Sequence, residues 1–90
     1  MVENYHLKIL THININKIMN VNEKIALLEE MLELDSNTLT LETELINIEE
    51  YDSMAKLSLI VLFDEECNKK LTGEDIRSFH TIGDIVEAMG

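Results

Sequence analysis

The residues best placed to do chemistry are Asp52 and Ser53, which stand between an acidic segment and a long apolar one. The apolar residues of positions 54–63 predict a helix that begins at Ser53. The first backbone N–H groups of a helix lack intrahelical partners and lie at the positive end of the helix dipole. A phosphate on the Ser53 hydroxyl would face those donors. We therefore interpret Ser53 as the attachment point of a phosphate-linked prosthetic group.

Ser53 has two alternative interpretations. Serine is a common helix N-cap, and replacing a capping serine with alanine costs about 1 kcal/mol. The second alternative is a hydrolase triad of Asp52, Ser53 and His80, but Ser53 lacks the flanking glycines of a nucleophile elbow. We expect no enzymatic activity from the chain.

Composition favours a small all-α protein. A chain of 90 residues is long enough for one domain. It contains no proline and three glycines, which favours helices over a turn-rich β fold. We predict a four-helix bundle of three main helices and one short helix. The predicted elements are a first helix at 22–34, a long loop at 35–52, a second helix at 53–68, a short helix after Thr72 and a last helix from Thr81 to Gly90.

Capping residues mark the predicted helix starts. Three polar residues are each followed, three positions later, by an acidic residue, which is the spacing of a capping box. Asn22 is an alternative cap for the first helix. The predicted pairs are Asn20 with Glu23, Thr72 with Asp75 and Thr81 with Asp84.

The long loop is expected to pack against the body, because loops of this length usually have a function or contain a short element. One helical turn is predicted near residues 41–45. In the first helix, the periodicity places Glu29 in water, with Glu30 and Glu33. The predicted apolar anchors of the loop are Leu39, Leu41, Leu45, Ile46 and Ile48.

The second helix is apolar on two faces. Leu59, Leu62 and Phe63 are predicted to face the bundle. Met54, Leu57 and Val61 fall on another face at spacings of three and four residues. A helix that is apolar on two faces is either buried on both, which is the more common case, or offers one face to a partner protein.

Charge limits the partners that the chain can have. The formal net charge is −11, and residues 1–20 carry +1 of it, from Glu3, Lys8 and Lys17, so the rest carries −12. Such a body should repel nucleic acid and attract proteins with basic patches. We expect no membrane insertion, since no apolar run is long enough to span a bilayer. The single cysteine, Cys67, excludes an internal disulfide and suits the cytoplasm; we interpret it as a buried small apolar residue.

Residues 1–18 differ from the rest of the chain. They are rich in Asn and Ile, poor in acidic residues, and show no sustained periodicity. We interpret them as an extension, either mobile or upstream of a natural start at Met19, with a docking segment as the alternative. His6 and His12 lie six residues apart, which matches no helical face, so we predict no metal site.

The chain resembles the acyl carrier proteins, the phosphopantetheine-binding carrier family, over about residues 20–90. The family motif Asp-Ser-Leu stands here as Asp52-Ser53-Met54, and the acidic end of the family's second helix as Asp64-Glu65-Glu66-Cys67. Residues 71–76 look like the family's short third helix, and residues 81–85 like the start of its last helix. The motif alone is weak. Its placement after a long loop, in an acidic chain of this length, makes the combination specific.

The resemblance implies an acyl carrier domain at 19–90, with 4′-phosphopantetheine on Ser53. A phosphopantetheinyl transferase would install this arm from coenzyme A with magnesium. The arm's thiol would hold acyl groups as thioesters for acyl-loading and acyl-processing enzymes of fatty-acid, polyketide or related biosynthesis, and the carrier is expected to be a monomer. The alternative is an unmodified acidic helical interaction module of the same fold. The partner-binding residues that the resemblance implies are Asp52, Met54, Leu57, Val61, Asp64 and Glu65.

Some residues depart from the family pattern. Ala55 and Ser58 replace frequent acidic residues of the second helix, and Cys67 replaces an aromatic residue. Lys56 adds a positive charge near the predicted arm. These departures favour a specialised carrier with a dedicated partner.

Overall fold

The computed structural model describes residues 19–90, so the predicted extension at 1–18, with His6 and His12, lies outside the described residues. The described part is all-helical, as predicted, and contains no strand beyond an isolated antiparallel bridge between Glu44 and Thr81. It forms a small helical bundle. Its elements are α1 (Val21–Met31), a 3-10 turn (Leu45–Asn47), α2 (Ser53–Glu66), α3 (Gly73–Ser78) and α4 (Ile82–Met89).

Within residues 19–90, capping boxes begin three of the four helices, and all three predicted pairs are confirmed. In each, the N-cap side chain accepts from the backbone N–H three residues on, and the acidic side chain accepts from the backbone N–H of the cap. Asn20, and not Asn22, caps α1. These contacts pair backbone donors that a helix start otherwise leaves unsatisfied.

Two helices end earlier than predicted. α1 ends at Met31 and α2 at Glu66, because the backbone turns left-handed at Glu33 (φ 60°) and Asn68 (φ 54°). At the end of α1, the N–H groups of Glu33 and Leu34 bond back to the carbonyls of Glu30 and Glu29 at 3.1 and 2.8 Å. Glycine is the usual residue at such a position, and neither end has one to mark it.

The core lies where α1 packs against α2 and α4. The ring of Phe63 on α2 stacks on Phe79, with centroids 6.3 Å apart, and so brings the segment after α3 onto the same core. The largest fully buried side chains are those of Leu28, Leu59, Phe63, Ile82 and Ile85.

The loop between α1 and α2 is packed down as predicted, but with a different set of anchors. Leu39, Leu45 and Ile48 are buried, whereas Leu41 is 39% exposed and Ile46 is 89% exposed, so those two predictions were wrong. The predicted turn near 41–45 lies further on, at Leu45–Asn47. A 3-10 turn has three residues per turn, so Leu45 and Ile48 lie on the same side and Ile46 faces solvent.

Glu29 holds the start of this loop, which corrects the prediction that it faces water. Its side chain is buried, and Oε2 accepts hydrogen bonds from the backbone N–H groups of Thr38 (2.9 Å) and Leu39 (3.0 Å). A buried carboxylate needs such partners. Glu29 therefore supplies the hydrogen-bond acceptor that these backbone N–H groups would otherwise find in a neighbouring helix or strand.

The middle of the loop is bound to the start of α4. The N–H of Leu45 donates to the carbonyl of His80, and that of Ile82 to the carbonyl of Thr43, both at 2.9 Å. The N–H of Gly83 donates to the carbonyl of Leu41, also at 2.9 Å. The loop that leads to α2 is thus held near its start by α1 and in its middle by α4.

Candidate functional site

The site begins at Asp52, the N-cap of α2. Its backbone is extended (φ −105°, ψ −168°), and its carboxylate accepts a hydrogen bond from the N–H of Ala55 at 2.9 Å. Ser53 is the first residue of the helix and is exposed. The interpretation of Ser53 as the capping residue was therefore wrong, because the carboxylate next to it performs that role.

The backbone around Ser53 suits an anion. The intrahelical bonds of α2 begin with the N–H of Lys56, which donates to the carbonyl of Asp52 at 3.0 Å. The N–H groups of Ser53 and Met54 precede that first bond, at the positive end of the helix dipole. Lys56, one turn further on, adds a cationic side chain that is exposed. An exposed hydroxyl in this setting can carry a phosphate group.

The second apolar face of α2 is exposed and is not buried within the bundle. Met54, Leu57 and Val61 are 70%, 58% and 53% exposed. Ala55, Leu59 and Phe63 are buried on the opposite side. We call Met54, Leu57 and Val61 the apolar face of α2.

Asp64 and Glu65 continue this surface toward the end of α2, and both are exposed. Asp64 Oδ1 lies 3.6 Å from Lys70 Nζ, in an ion pair whose side chains are 55% and 89% exposed. Exposed pairs of this kind contribute little to stability. All seven residues predicted for the site, from Asp52 to Glu65, therefore lie on α2 or its cap and are exposed.

Two residues near this surface were not predicted from the sequence as site residues. Ile46, in the loop before α2, is the most exposed large apolar side chain of the described residues. Tyr51, directly before the cap, packs against the core with its hydroxyl buried. An aromatic residue two positions before Ser53 was the available signal, but the direction of its side chain depends on tertiary contacts.

Cys67, at the C-cap of α2, is half-buried and packs against the core, which agrees with its interpretation as a small apolar residue. Burial raises the pKa of its thiol. The thiolate is the nucleophilic form of cysteine, so burial makes this thiol less reactive.

Within residues 19–90, no group of three or more His, Cys, Asp or Glu side chains is arranged to hold a metal ion. Among the same residues, no helix is both long and apolar enough to cross a membrane.

Comparison of the chain with protein-family models, with characterised proteins and with solved structures found no match.

Proposed function

We propose that this protein is an acyl carrier protein that bears 4′-phosphopantetheine on Ser53. The observation that carries the proposal is the division of roles at the start of α2. Asp52 caps the helix, so the neighbouring Ser53 hydroxyl is exposed and is not needed for the cap. The sequence resemblance and the small helical bundle support the same function.

In this function, a phosphopantetheinyl transferase acts on the Ser53 hydroxyl with coenzyme A and magnesium. The Ser53 oxygen attacks the pantetheine-side phosphorus of coenzyme A and loses its proton, the pyrophosphate P–O bond breaks, and adenosine 3′,5′-bisphosphate leaves. The arm then remains on Ser53 through a phosphodiester. The helix N-terminus and Lys56 favour the resulting negative charge. The arm supplies the thiol that holds an acyl group as a thioester, and the protein itself catalyses no step.

The same proposal gives the surface of α2 the role of meeting partner enzymes. The apolar face supplies contact area, and Asp52, Asp64 and Glu65 supply negative charge. With a net charge of −11, the carrier would be steered toward enzymes whose docking surfaces are basic. We place the protein in the cytoplasm, as a monomer that serves fatty-acid, polyketide or related specialised biosynthesis.

A second candidate is an unmodified interaction module of the same fold. The exposure of Met54, Leu57 and Val61 favours it, because an apolar face can bind a protein without any group on Ser53.

Intact mass separates the two candidates. The protein is incubated with coenzyme A, magnesium and a broad-specificity phosphopantetheinyl transferase, beside Ser53→Ala and Ser58→Ala. Ser58 is the matched control, since it is an exposed serine of the same helix. We expect the mass of one phosphopantetheine to be added to the wild type and to Ser58→Ala only. No gain, under conditions that modify a known carrier, would favour the unmodified module.

A further inference from the structure

Tyr51 lies beside the proposed attachment site and has no role in the function proposed above. Its ring packs against the core, and Lys56 Nζ lies 5.7 Å from the ring centre. Its hydroxyl oxygen is buried, with less than 1 Å² of surface exposed to solvent. Within the described part of the chain, no group makes a hydrogen bond with that hydroxyl.

This orientation is the reverse of the common one. A tyrosine at the edge of a core usually directs its hydroxyl to water and keeps the ring inside. Here the hydroxyl oxygen is shielded from solvent, and a lysine ammonium lies over the ring. A buried hydroxyl without a partner loses its hydration and gains nothing in return. Buried polar groups in folded proteins are nearly always hydrogen-bonded, so this one needs an explanation.

The hydroxyl is suited to donate a hydrogen bond. Burial raises the pKa of Tyr51, so the phenol keeps its proton. A group that entered the core beside Tyr51 and offered an oxygen acceptor would restore the missing hydrogen bond. A saturated hydrocarbon chain in the same place would leave the hydroxyl unpaired.

The attachment site is near enough for this contact. Tyr51 and Ser53 are two residues apart, so their Cα atoms are at most about 7 Å apart. An extended phosphopantetheine arm is longer than this separation, so an arm on Ser53 that folds back onto the protein can bring its acyl group to the phenol.

We propose that the Tyr51 hydroxyl donates a hydrogen bond to an oxygen atom within the acyl group carried on Ser53, so that the protein holds oxygen-bearing acyl chains in preference to saturated ones. The inference rests on the proposed function and names the class of cargo. Its physical basis is that a site with a buried donor discriminates against an analogue that lacks the acceptor.

The test compares wild type and Tyr51→Phe in four states. These are the unmodified protein, the protein with the arm alone, and the protein loaded from butyryl-coenzyme A or from 3-oxobutyryl-coenzyme A. In the unmodified and butyryl states, we expect Tyr51→Phe to melt at or above the wild-type Tm. In the 3-oxobutyryl state the order should reverse, with the wild type about 4 °C or more higher.

A second readout is the NMR resonance of the proposed acceptor, the 3-oxo carbonyl of the cargo. With ¹³C at the 3-oxo carbon, a hydrogen bond to that carbonyl should move its resonance downfield in the wild type relative to Tyr51→Phe. Tyr5→Phe, which removes the other tyrosine hydroxyl, should leave the resonance at the wild-type position.

Three results would overturn the inference. One is a Tm difference between wild type and Tyr51→Phe that is the same in all four states. Another is a reversal already complete with the arm alone, because the acceptor would then belong to the arm and not to the cargo. The third is a failure of Ser53 to gain the arm, and it would remove the proposed function as well. A normal mass gain without any effect of Tyr51 would overturn only the inference about cargo.

Discussion

The carboxylate of Asp52 accepts a 2.9 Å hydrogen bond from the backbone N–H of Ala55 and thereby caps α2. Asp52 thus caps the helix, and the adjacent residue, Ser53, keeps an exposed side chain that the cap does not need. A serine that both capped the helix and carried a phosphodiester would exchange one role for the other. Here the helix start keeps its cap whatever is attached to Ser53.

The first prediction follows from this division. Asp52→Ala removes the cap and should lower the free energy of unfolding by about 1 kcal/mol. Ser53→Ala should change it by less than about 0.5 kcal/mol, as is usual for an exposed position away from such contacts. Urea unfolding of the unmodified proteins measures both values. Equal losses in the two variants would show that Ser53 contributes to the cap.

The second prediction concerns Glu29. Glu29→Ala leaves the N–H groups of Thr38 and Leu39 without their acceptor, and a buried donor without a partner costs about 1–3 kcal/mol. We expect a loss of that size in urea unfolding and faster hydrogen exchange at the Leu39 amide. Glu30→Ala, at the exposed neighbouring position, is the control and should change stability by less than about 0.5 kcal/mol. An unchanged Leu39 amide would contradict the contact.

The third prediction compares alanine substitutions at two helical glycines, one packed closely against backbone and the other with free space around it. A Cβ at Gly83 would lie 2.9 Å from the carbonyl oxygen of Leu41, which is backbone and accepts the Gly83 N–H. Alanine normally stabilises a helix relative to glycine by up to about 1 kcal/mol. Gly83→Ala should instead destabilise the protein by about 1–3 kcal/mol, since the loop must shift.

Gly73→Ala is the matched control. Its Cβ would meet only the end of the flexible Arg77 side chain, at 3.4 Å. We expect this variant to be neutral or more stable than the wild type in thermal unfolding. If the two alanine variants have the same stability, the close approach of the Leu41 carbonyl does not exclude a side chain at position 83.

The fourth prediction separates the apolar face of α2 from its core face. Leu57→Ser should leave the free energy of unfolding within about 0.5 kcal/mol of wild type, because Leu57 is exposed. The same change should lower the kcat/KM of the phosphopantetheinyl transferase roughly 5- to 10-fold, the effect of losing about 1 kcal/mol at an interface.

Leu59→Ala provides the opposite pattern. Leu59 is fully buried, so its truncation should cost about 2–5 kcal/mol of stability. Transferase activity measured well below its melting temperature should change less than for Leu57→Ser. A Leu57 variant with wild-type kcat/KM would remove the apolar face from the transferase interface.

The fifth prediction concerns pH. The backbone N–H groups of His80 and Thr81 donate to Asp84 Oδ2 at 2.8 and 3.1 Å, and they lower the pKa of this carboxyl below its usual value of 3.8. A lowered pKa in the folded state stabilises the protein above the unfolded pKa. That stabilisation is lost as the pH falls through the folded pKa.

The difference in Tm between wild type and Asp84→Ala should therefore be largest near pH 7 and shrink below about pH 4. Glu87→Ala, at an exposed position of the same helix, corrects for the general effect of removing one carboxylate from an acidic chain. A difference that stays constant down to pH 2 would contradict a lowered pKa at Asp84.

Helix starts could be predicted from the sequence because they depend on contacts over three residues. Asn20 with Glu23 and Thr81 with Asp84 form the expected capping boxes. The two faces of α2 also follow from local periodicity, and Leu57 and Leu59 lie on the expected sides. Helix ends were predicted less well. The left-handed residue after α1 is Glu33, which carries no residue-type signal for that conformation.

The sequence by itself determined the all-helical class and the helix starts, since propensity, capping and periodicity act within one or two turns. The tertiary structure decided that Glu29 is buried as the acceptor for the loop, and that the loop meets α4 at Gly83. It also decided that the hydroxyl of Tyr51 is shielded from solvent. Each of these depends on which distant groups remain available once the helices have packed, and no local pattern encodes that outcome.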